Sequence, residues 1–190
     1  MPTVHPTAAW PRDESETVAA ACAGDRGAAR TLVKRYERAV FGQLRGILVA
    51  AGRASVVEDL AQETFLRAFR ALPRYTHDGR AKFSTWLLTI ATRLALNELR
   101  RRPGSITTDA IDAWPGEDDL AEQAGVVGKG VQAAIESLSP PLRAAFLLRE
   151  LHGFDYAEVA EALDVDLGTV KSRLSRARAR LREVLGDEPG

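Results

Sequence analysis

The sequence predicts an all-α fold: two small helical domains joined by a flexible acidic linker. Three observations carry that prediction. Alanine and leucine dominate the apolar residues and β-branched runs are few, a balance that favours helix. Apolar residues recur at three- and four-residue spacings along most of the 190 residues. One stretch, residues 104–127, breaks that rhythm with glycine, proline and acids. A hydrophobic share of 45% is enough for a packed core, which excludes disorder throughout. Aromatics at 6% leave that core to Leu, Val and Ala.

The elements follow in order. Residues 1–15 read as a loose tail containing Pro2, Pro6 and Pro11. A helix is expected from Glu16 to Ala23, ended near Gly24, and a second from Ala28 to Ala51. In the second, Val33, Tyr36, Val40, Leu44 and Ile47 form one face, while Gly42 and Gly46 lower its intrinsic preference. Ser55 with Glu58 three residues on predicts a capping box opening the third helix, whose inner stripe is Val57, Ala61, Phe65, Ala68 and Leu72. Pro73 ends it, and residues 73–82 form a polar loop. The helix from Ser84 to Arg102 is apolar almost all round in its first half, so it is expected to be central. Thus 16–103 form one domain, 104–127 a linker, 128–186 a second domain and 187–190 a tail. In the second domain helices are expected over Val131–Leu138, Leu142–His152, Tyr156–Leu163 and Thr169–Leu185. Ser139-Pro140 starts the second of these, Asp155 with Glu158 caps the third, and Gly186 closes the fourth.

The net charge is zero, but the charges are segregated. Residues 93–102 carry four arginines against Glu98. Residues 104–130 carry six acids against Lys129, and 167–182 carry six cations and no acid. Two basic blocks around an acidic joint point to two contacts with a polyanion. A short helix, a tight turn and a longer basic helix make a helix-turn-helix near the C-terminus, in which the first helix braces a second that enters the DNA major groove. Val159, Leu163 and Val170 supply its small core, and Val170, Leu174, Ala177, Leu181 and Val184 the buried stripe of the long helix. Thr169, Lys171, Ser172, Arg173, Ser175 and Arg176 remain on the surface at its start, where hydroxyls reach phosphates or bases and arginine pairs with guanine. Arg178, Arg180 and Arg182 lie further along and suit phosphates. The competing explanation is a solvated helix, but such helices ordinarily mix charge signs.

The helix from Ser84 carries a polar stripe of Thr85, Thr89, Arg93, Asn97 and Arg100, extended by Arg101 and Arg102, with Trp86 beside it. Stacking surface, hydrogen-bonding groups and cations together suit single-stranded or opened nucleic acid, although a tryptophan here is more often simply core. Tyr75, His77, Asp78, Arg80 and Lys82 in the preceding loop are placed to embrace an unstacked base. The preceding helix presents Asp59, Gln62, Glu63, Arg67 and Arg70, a mixture that suits a protein partner or a plain solvated face.

EDLAQETFLRAF (Glu58–Phe69) followed by KFSTWLLTIATRLALNELRRR (Lys82–Arg102) resembles the second domain of an extracytoplasmic-function sigma factor of bacterial RNA polymerase. Leu138–Leu185, with GTVKSRLSRAR at its heart, resembles the fourth domain of the same family. The resemblance implies a dissociable polymerase subunit. Its second domain binds the β′ clamp helices through a surface including Asp59, Gln62 and Glu63. That domain also captures and melts the promoter −10 element, with Trp86, Thr89, Arg93, Asn97, Arg100 and Arg101 as its contacts here. Its fourth domain reads the −35 element as duplex and meets the β flap, and its linker threads near the RNA exit path. It further implies an anti-sigma protein, often membrane-bound, that holds the factor inactive. The sequence departs from the family in three places: Arg93 stands where Asn is common, Asn97 where Asp is common, and Asp164 where the turn often has Gly. Asp164 is tolerable in a left-handed conformation.

Other functions fit less well. His5, His77 and His152 are scattered with no metal-ligand spacing, and no glycine loop cradles a phosphate. The acid pair Asp118-Asp119 sits in the linker, where nothing holds it for acid–base work. No enzyme, cofactor, metal or small-molecule substrate is therefore expected. The lone Cys22 excludes a disulfide scaffold and points to a reducing cytoplasm. No apolar run is long enough to span a bilayer, and the first residues do not read as a secretory signal. The alternatives are a free-standing regulator binding duplex DNA as a dimer, and an interaction module sequestered by a partner.

Overall fold

The computed structural model describes residues 14–75, 82–101 and 129–186. Of the expected tails at 1–15 and 187–190, residues 1–13 and 187–190 lie outside the described residues, as do the loop residues His77, Asp78 and Arg80, Arg102, and the linker 104–127, while Glu14 and Ser15 belong to the first helix rather than to the tail. Every regular element among the described residues is helical. Four helices make the N-terminal half: α1 (Glu14–Cys22), α2 (Arg26–Leu48), α3 (Val57–Ala71) and α4 (Phe83–Arg101). Four more make the C-terminal half: α5 (Lys129–Glu136), α6 (Pro140–Phe146), α7 (Tyr156–Leu163) and α8 (Leu167–Leu185). No described helix is long and apolar enough to cross a membrane.

Helix α2 is the spine of the first half. Asp25 caps it, its carboxylate accepting from the backbone N–H groups of Gly27 (2.6 Å) and Ala28 (3.2 Å). Its buried face is Leu32, Tyr36, Val40, Gln43, Leu44, Ile47 and Leu48. The face begins on Leu32 rather than Val33, which is only half-buried. Packing of α2 against α1, α3 and α4 together widens the stripe beyond one row and turns it toward Leu32. Within it Gln43 Nε2 donates to Thr92 Oγ1 (2.9 Å), a buried polar pair joining α2 to α4. Tyr36 stacks on Phe83 (5.4 Å) and its hydroxyl donates to Glu14.

The expected Ser55–Glu58 capping box is not formed. Ser55 lies inside a 3₁₀ turn, Ala54–Val56, that leads directly into α3, and the cap position is Val56 with no side-chain hydrogen bond. The turn itself satisfies the Val57 N–H, on the Ala54 carbonyl, so that donor needs no hydroxyl. The buried face of α3 is Val57, Ala61, Thr64 and Ala68; Phe65 is half-buried and stacks on Phe69 (6.3 Å). Thr64 is admitted because its hydroxyl donates to the Leu60 carbonyl (2.7 Å).

In the second half, Ser139 occupies the cap position of α6 with Pro140 first in the helix, but the serine hydroxyl makes no capping bond. Helix α6 widens into one π turn, Leu147–Leu151. Helix α7 opens on the predicted capping box: Asp155 accepts from Glu158 N–H and Glu158 Oε2 accepts from Asp155 N–H, both at 2.8 Å. It closes on Asp164 at φ 53°, ψ 54°, the left-handed conformation that a non-glycine residue needs here. Asp166 then caps α8, accepting from the Thr169 N–H and hydroxyl (2.7 Å each). Val170, Leu174, Ala177 and Leu181 are buried on α8 as expected, whereas Val184 is exposed.

The two halves are packed together. One hydrophobic cluster runs from Val18 through Leu44 and Ala91 to Ala145, Val159 and Leu174. The joint is made by α2 against α6 and α4 against α7. At its centre Arg143 of α6 is 2% exposed. Its guanidinium donates to the carbonyls of Ile135 (3.1 Å), Glu136 (2.7 Å) and Leu138 (2.6 Å) at the end of α5, and to Gly46 (3.4 Å) and Ile47 (3.1 Å) at the end of α2. One cation thus serves two helix C-termini, each with carbonyls lacking an intrahelical partner. Truncating it strands several buried acceptors, each costing about 1–3 kcal/mol.

His152, beyond the π turn, is half-buried with its Nε2 enclosed and unpartnered, and desolvation pushes its pKa down to about 4. The folded chain therefore keeps this imidazole neutral while the unfolded chain protonates it below about 6.5. Stability contributed by neutral burial is complete above that pH and is lost as pH falls toward 4, by about 1.4 kcal/mol per pH unit at most. Urea denaturation across that range should show this slope, and His152→Gln should flatten it; an identical slope in the variant refutes the assignment.

Candidate nucleic-acid and polymerase interfaces

Helices α7 and α8 form the helix-turn-helix. Val159, Leu163 and Val170 are buried between them, as predicted. Along the start of α8, Lys171, Ser175 and Arg176 are exposed, and Thr169, Ser172 and Arg173 are half-exposed. Arg176 folds back on Ser172, with Nη2 3.2 Å from its Oγ, so the pair is a ready donor cluster on one turn. The Asp166 carboxyl is held below the usual range by the Thr169 hydroxyl and then by backbone N–H groups, so it stays charged and fixes the first turn. Further along, Arg178 pairs with Glu150 (2.7 Å) and Arg180 with Glu183 (3.0 Å). Glu150 was not legible as a partner for Arg178, being 28 residues away on the π turn. A phosphate would have to exchange with these carboxylates at exposed sites, where ion pairs are weak.

The α4 stripe is divided in its surroundings. Thr85 is buried, and its hydroxyl donates to Glu158 of α7 (3.2 Å). Thr89 donates to the Thr85 carbonyl within the helix (2.8 Å). Arg93 reaches across to α7, donating to the carbonyls of Ala162 (3.1 Å) and Glu161 (2.5 Å). Asn97 and Arg100 are exposed and bonded to each other (2.8 Å), and Arg101 is exposed. Trp86 is half-buried in an aromatic group with Tyr75 (4.8 Å) and Phe83 (5.7 Å).

On α3, Asp59 and Gln62 are exposed, and Glu63 accepts from Arg67 Nε (2.6 Å). Sequence reasoning missed Leu66, half exposed one turn further on the same face. An apolar residue among acids and a glutamine is the composition of a protein contact rather than a nucleic-acid one. Among the described residues no three His, Cys, Asp or Glu side chains are gathered as for a metal ion.

A helix-turn-helix with a basic second helix, carried beside a second helical unit with its own arginine stripe, is the architecture of a DNA-binding protein. Sigma-70 region 2 matches residues 32–103, and Sigma-70 region 4 matches residues 129–181. The chain is 41% identical over 142 residues to the ECF RNA polymerase sigma factor SigE of Mycolicibacterium smegmatis, spanning 71% of this chain and 54%, about half, of that relative. It is 35% identical over 176 residues to the ECF RNA polymerase sigma factor SigM of Mycobacterium tuberculosis, spanning 92% of this chain and 86% of the relative. It is 39% identical over 171 residues to the ECF RNA polymerase sigma-E factor of Escherichia coli, spanning 82% and 85%. The fold is shared with CnrH, solved in complex with the cytosolic domain of CnrY (TM-score 0.64, 24% identity, 93% of this chain and 99% of that one). It is shared also with the sigma factor RpoE of Bartonella quintana, solved with the anti-sigma factor NepR (TM-score 0.66, 23% identity, 84% and 98%). The chain belongs to the ECF RNA polymerase sigma factors, which are DNA-binding transcription initiation factors.

Two expectations follow for these faces. Arg176→Ala should weaken −35 recognition by about 1–3 kcal/mol in a promoter-binding assay with core polymerase, and unchanged occupancy removes the residue from the interface. Asp59→Ala with Glu63→Ala should reduce co-purification with core polymerase at unchanged helix content; full retention of the complex places that interface elsewhere.

Proposed function

We propose that this chain binds core RNA polymerase through the α3 face and directs it to promoters by two separate DNA contacts. Residues 16–103 act as the polymerase-binding and −10 domain, 104–127 as the linker and 128–186 as the −35 domain. Asp59, Gln62, Glu63 and Leu66 meet the β′ clamp helices. Thr169, Lys171, Ser172, Arg173, Ser175 and Arg176 read the −35 duplex, with Arg178 and Arg180 on its phosphates, and this domain meets the β flap. Trp86, Thr89, Arg93, Asn97, Arg100 and Arg101 engage the opened −10 strand. Arg93 and Asn97, where the family often differs, tune which −10 sequence is preferred.

The observation that carries this reading is the basic, exposed start of α8 braced by α7, in one chain with the exposed acid–glutamine face of α3. The division of labour is also physically economical. Melting is driven by preferential binding to the opened strand, offsetting an unpairing cost of a few kcal/mol. Duplex readout needs only a basic helix. Each contact alone is weak, and joining both to polymerase raises the effective concentration of each at the promoter. The chain performs no catalysis of its own and needs no cofactor. It acts at the nucleoid, and an anti-sigma protein, at the membrane or free, holds it inactive, as NepR is bound to the Bartonella sigma factor.

In vitro transcription with purified core polymerase on the host's promoter fragments tests the reading. New transcripts that require the protein, with two shared upstream elements, support it. Duplex binding without polymerase and no new transcript would favour a free-standing regulator instead.

A further inference from the structure

We propose that the exposed cationic row of α2, Arg26, Arg30, Lys34 and Arg38, is a third contact with promoter DNA, made to the phosphate backbone and blind to sequence. It holds the strand where that strand runs past the Trp86 end of the −10 contact. This rests on the assignment of the α4 stripe to the −10 strand.

The charge of α2 is the first observation. Over Arg26–Leu48 the helix carries six cations, and Glu37 is its only acid. Arg26, Arg30, Lys34 and Arg38 recur at every fourth residue and are all exposed. Residues four apart share one helix face, so these four form a row about 18 Å long. Arg26, Arg30 and Lys34 have no hydrogen-bond or ion-pair partner among the described residues. The local chemistry opposes this arrangement twice. Like charges four residues apart destabilise a helix, and here three such pairs follow one another. Cations near a helix N-terminus oppose the macrodipole, and the first turn of α2 holds no acid. Asp25 at the cap is engaged by the backbone N–H groups of Gly27 and Ala28. A polyanion laid along the row turns both penalties into attraction.

The second observation selects the polyanion. The exposed large apolar residues among those described are Leu66, Leu151, Leu167, Val184 and Leu185, and none of them lies on α2. Protein contacts are built on apolar or aromatic anchors and are poor in lysine. The α3 face has such an anchor in Leu66, and the α2 row has none. A regular line of cations without an anchor suits phosphates, which position a nucleic acid without reading it.

The third observation is placement. Tyr36 packs on Phe83 and Gln43 bonds to Thr92, so α2 and α4 run side by side in the same direction. Tyr36 is level with the first residue of α4, which puts Arg26, Arg30 and Lys34 beyond that end. Trp86 sits at the same end, in contact with Phe83 and Tyr75. The row therefore lengthens the path of the α4 stripe instead of duplicating it. The chain leaves for the −35 domain from the opposite end of α4, at Arg101, so the row serves the side of the −10 element away from the −35 element.

Arg30→Ala with Lys34→Ala removes two cations that no described contact uses, so helix content and thermal stability should be retained. In complex with core polymerase, this double variant should bind a cognate promoter fragment more weakly than the wild type. The slope of log affinity against log salt should shrink by about 1.4, at about 0.7 for each single-strand phosphate contact. The loss should be the same on promoters with different −35 sequences. It should vanish on a fragment that ends at the −10 element on the side away from the −35 element. Arg30→Lys with Lys34→Arg keeps the charge and should match the wild type. Unchanged affinity and slope in the alanine variant overturn the proposal. So does a loss shared by the charge-preserving variant, or one that survives trimming of the fragment. Reduced co-purification of the alanine variant with core polymerase also overturns it, by making the row a protein contact. If the wild-type chain brings core polymerase to no promoter fragment, the promoter-binding reading itself fails and the proposal with it.

Discussion

The arrangement of this molecule depends on one buried guanidinium. Five carbonyl oxygens from the ends of α2 and α5 and the turn after α5 surround Arg143. Burying a cation is costly unless it is well hydrogen-bonded, and here desolvation pulls its pKa down while the charge of Glu136 opposes that shift. The same group that stabilises the end of α5 is the one that fixes where α2 must lie. The internal order of the second half and its attachment to the first are therefore one constraint, and the continuous core follows from it.

That constraint sets α7 against α4 and gives the polar groups on both helices a second use. Helix termini and promoter DNA present similar chemistry to an arginine, namely oxygen atoms carrying negative charge. Arg93 can satisfy either, and in the packed form it satisfies the helix. Asp59 and Gln62 on α3, Arg93, Asn97, Arg100 and Arg101 on α4, and Lys171, Ser175 and Arg176 on α8 are all exposed in the packed form.

Much of the fold was legible because it is local. The Asp155–Glu158 box, the left-handed Asp164 and the α8 stripe through Leu181 are each decided within a few residues, and each appears as the sequence predicts. Ser55 does not cap because it lies inside a 3₁₀ turn, which moves the cap position of α3 on to Val56. Of the expected α2 stripe, Tyr36, Val40, Leu44 and Ile47 are buried and only Val33 is not, because α2 packs against three helices and Leu32 is the residue turned inward. The seam was illegible for a different reason. Arg143 and Gly46 are 97 residues apart, and neither shows in its own neighbourhood what it meets. The one local hint was a cation within an otherwise apolar run, Leu142 to Leu148. The candidate site was legible in residue type and face, but not in occupancy. Nothing near Arg93 in the sequence announces the carbonyls of α7, and nothing near Arg178 announces Glu150.

The central claim is that the two halves share one core and unfold together. Differential scanning calorimetry of the full chain tests it most directly. A single transition whose calorimetric and van't Hoff enthalpies agree is the predicted result, with Arg143→Met resolving it into two. Two independent transitions in the unmodified chain would contradict the account.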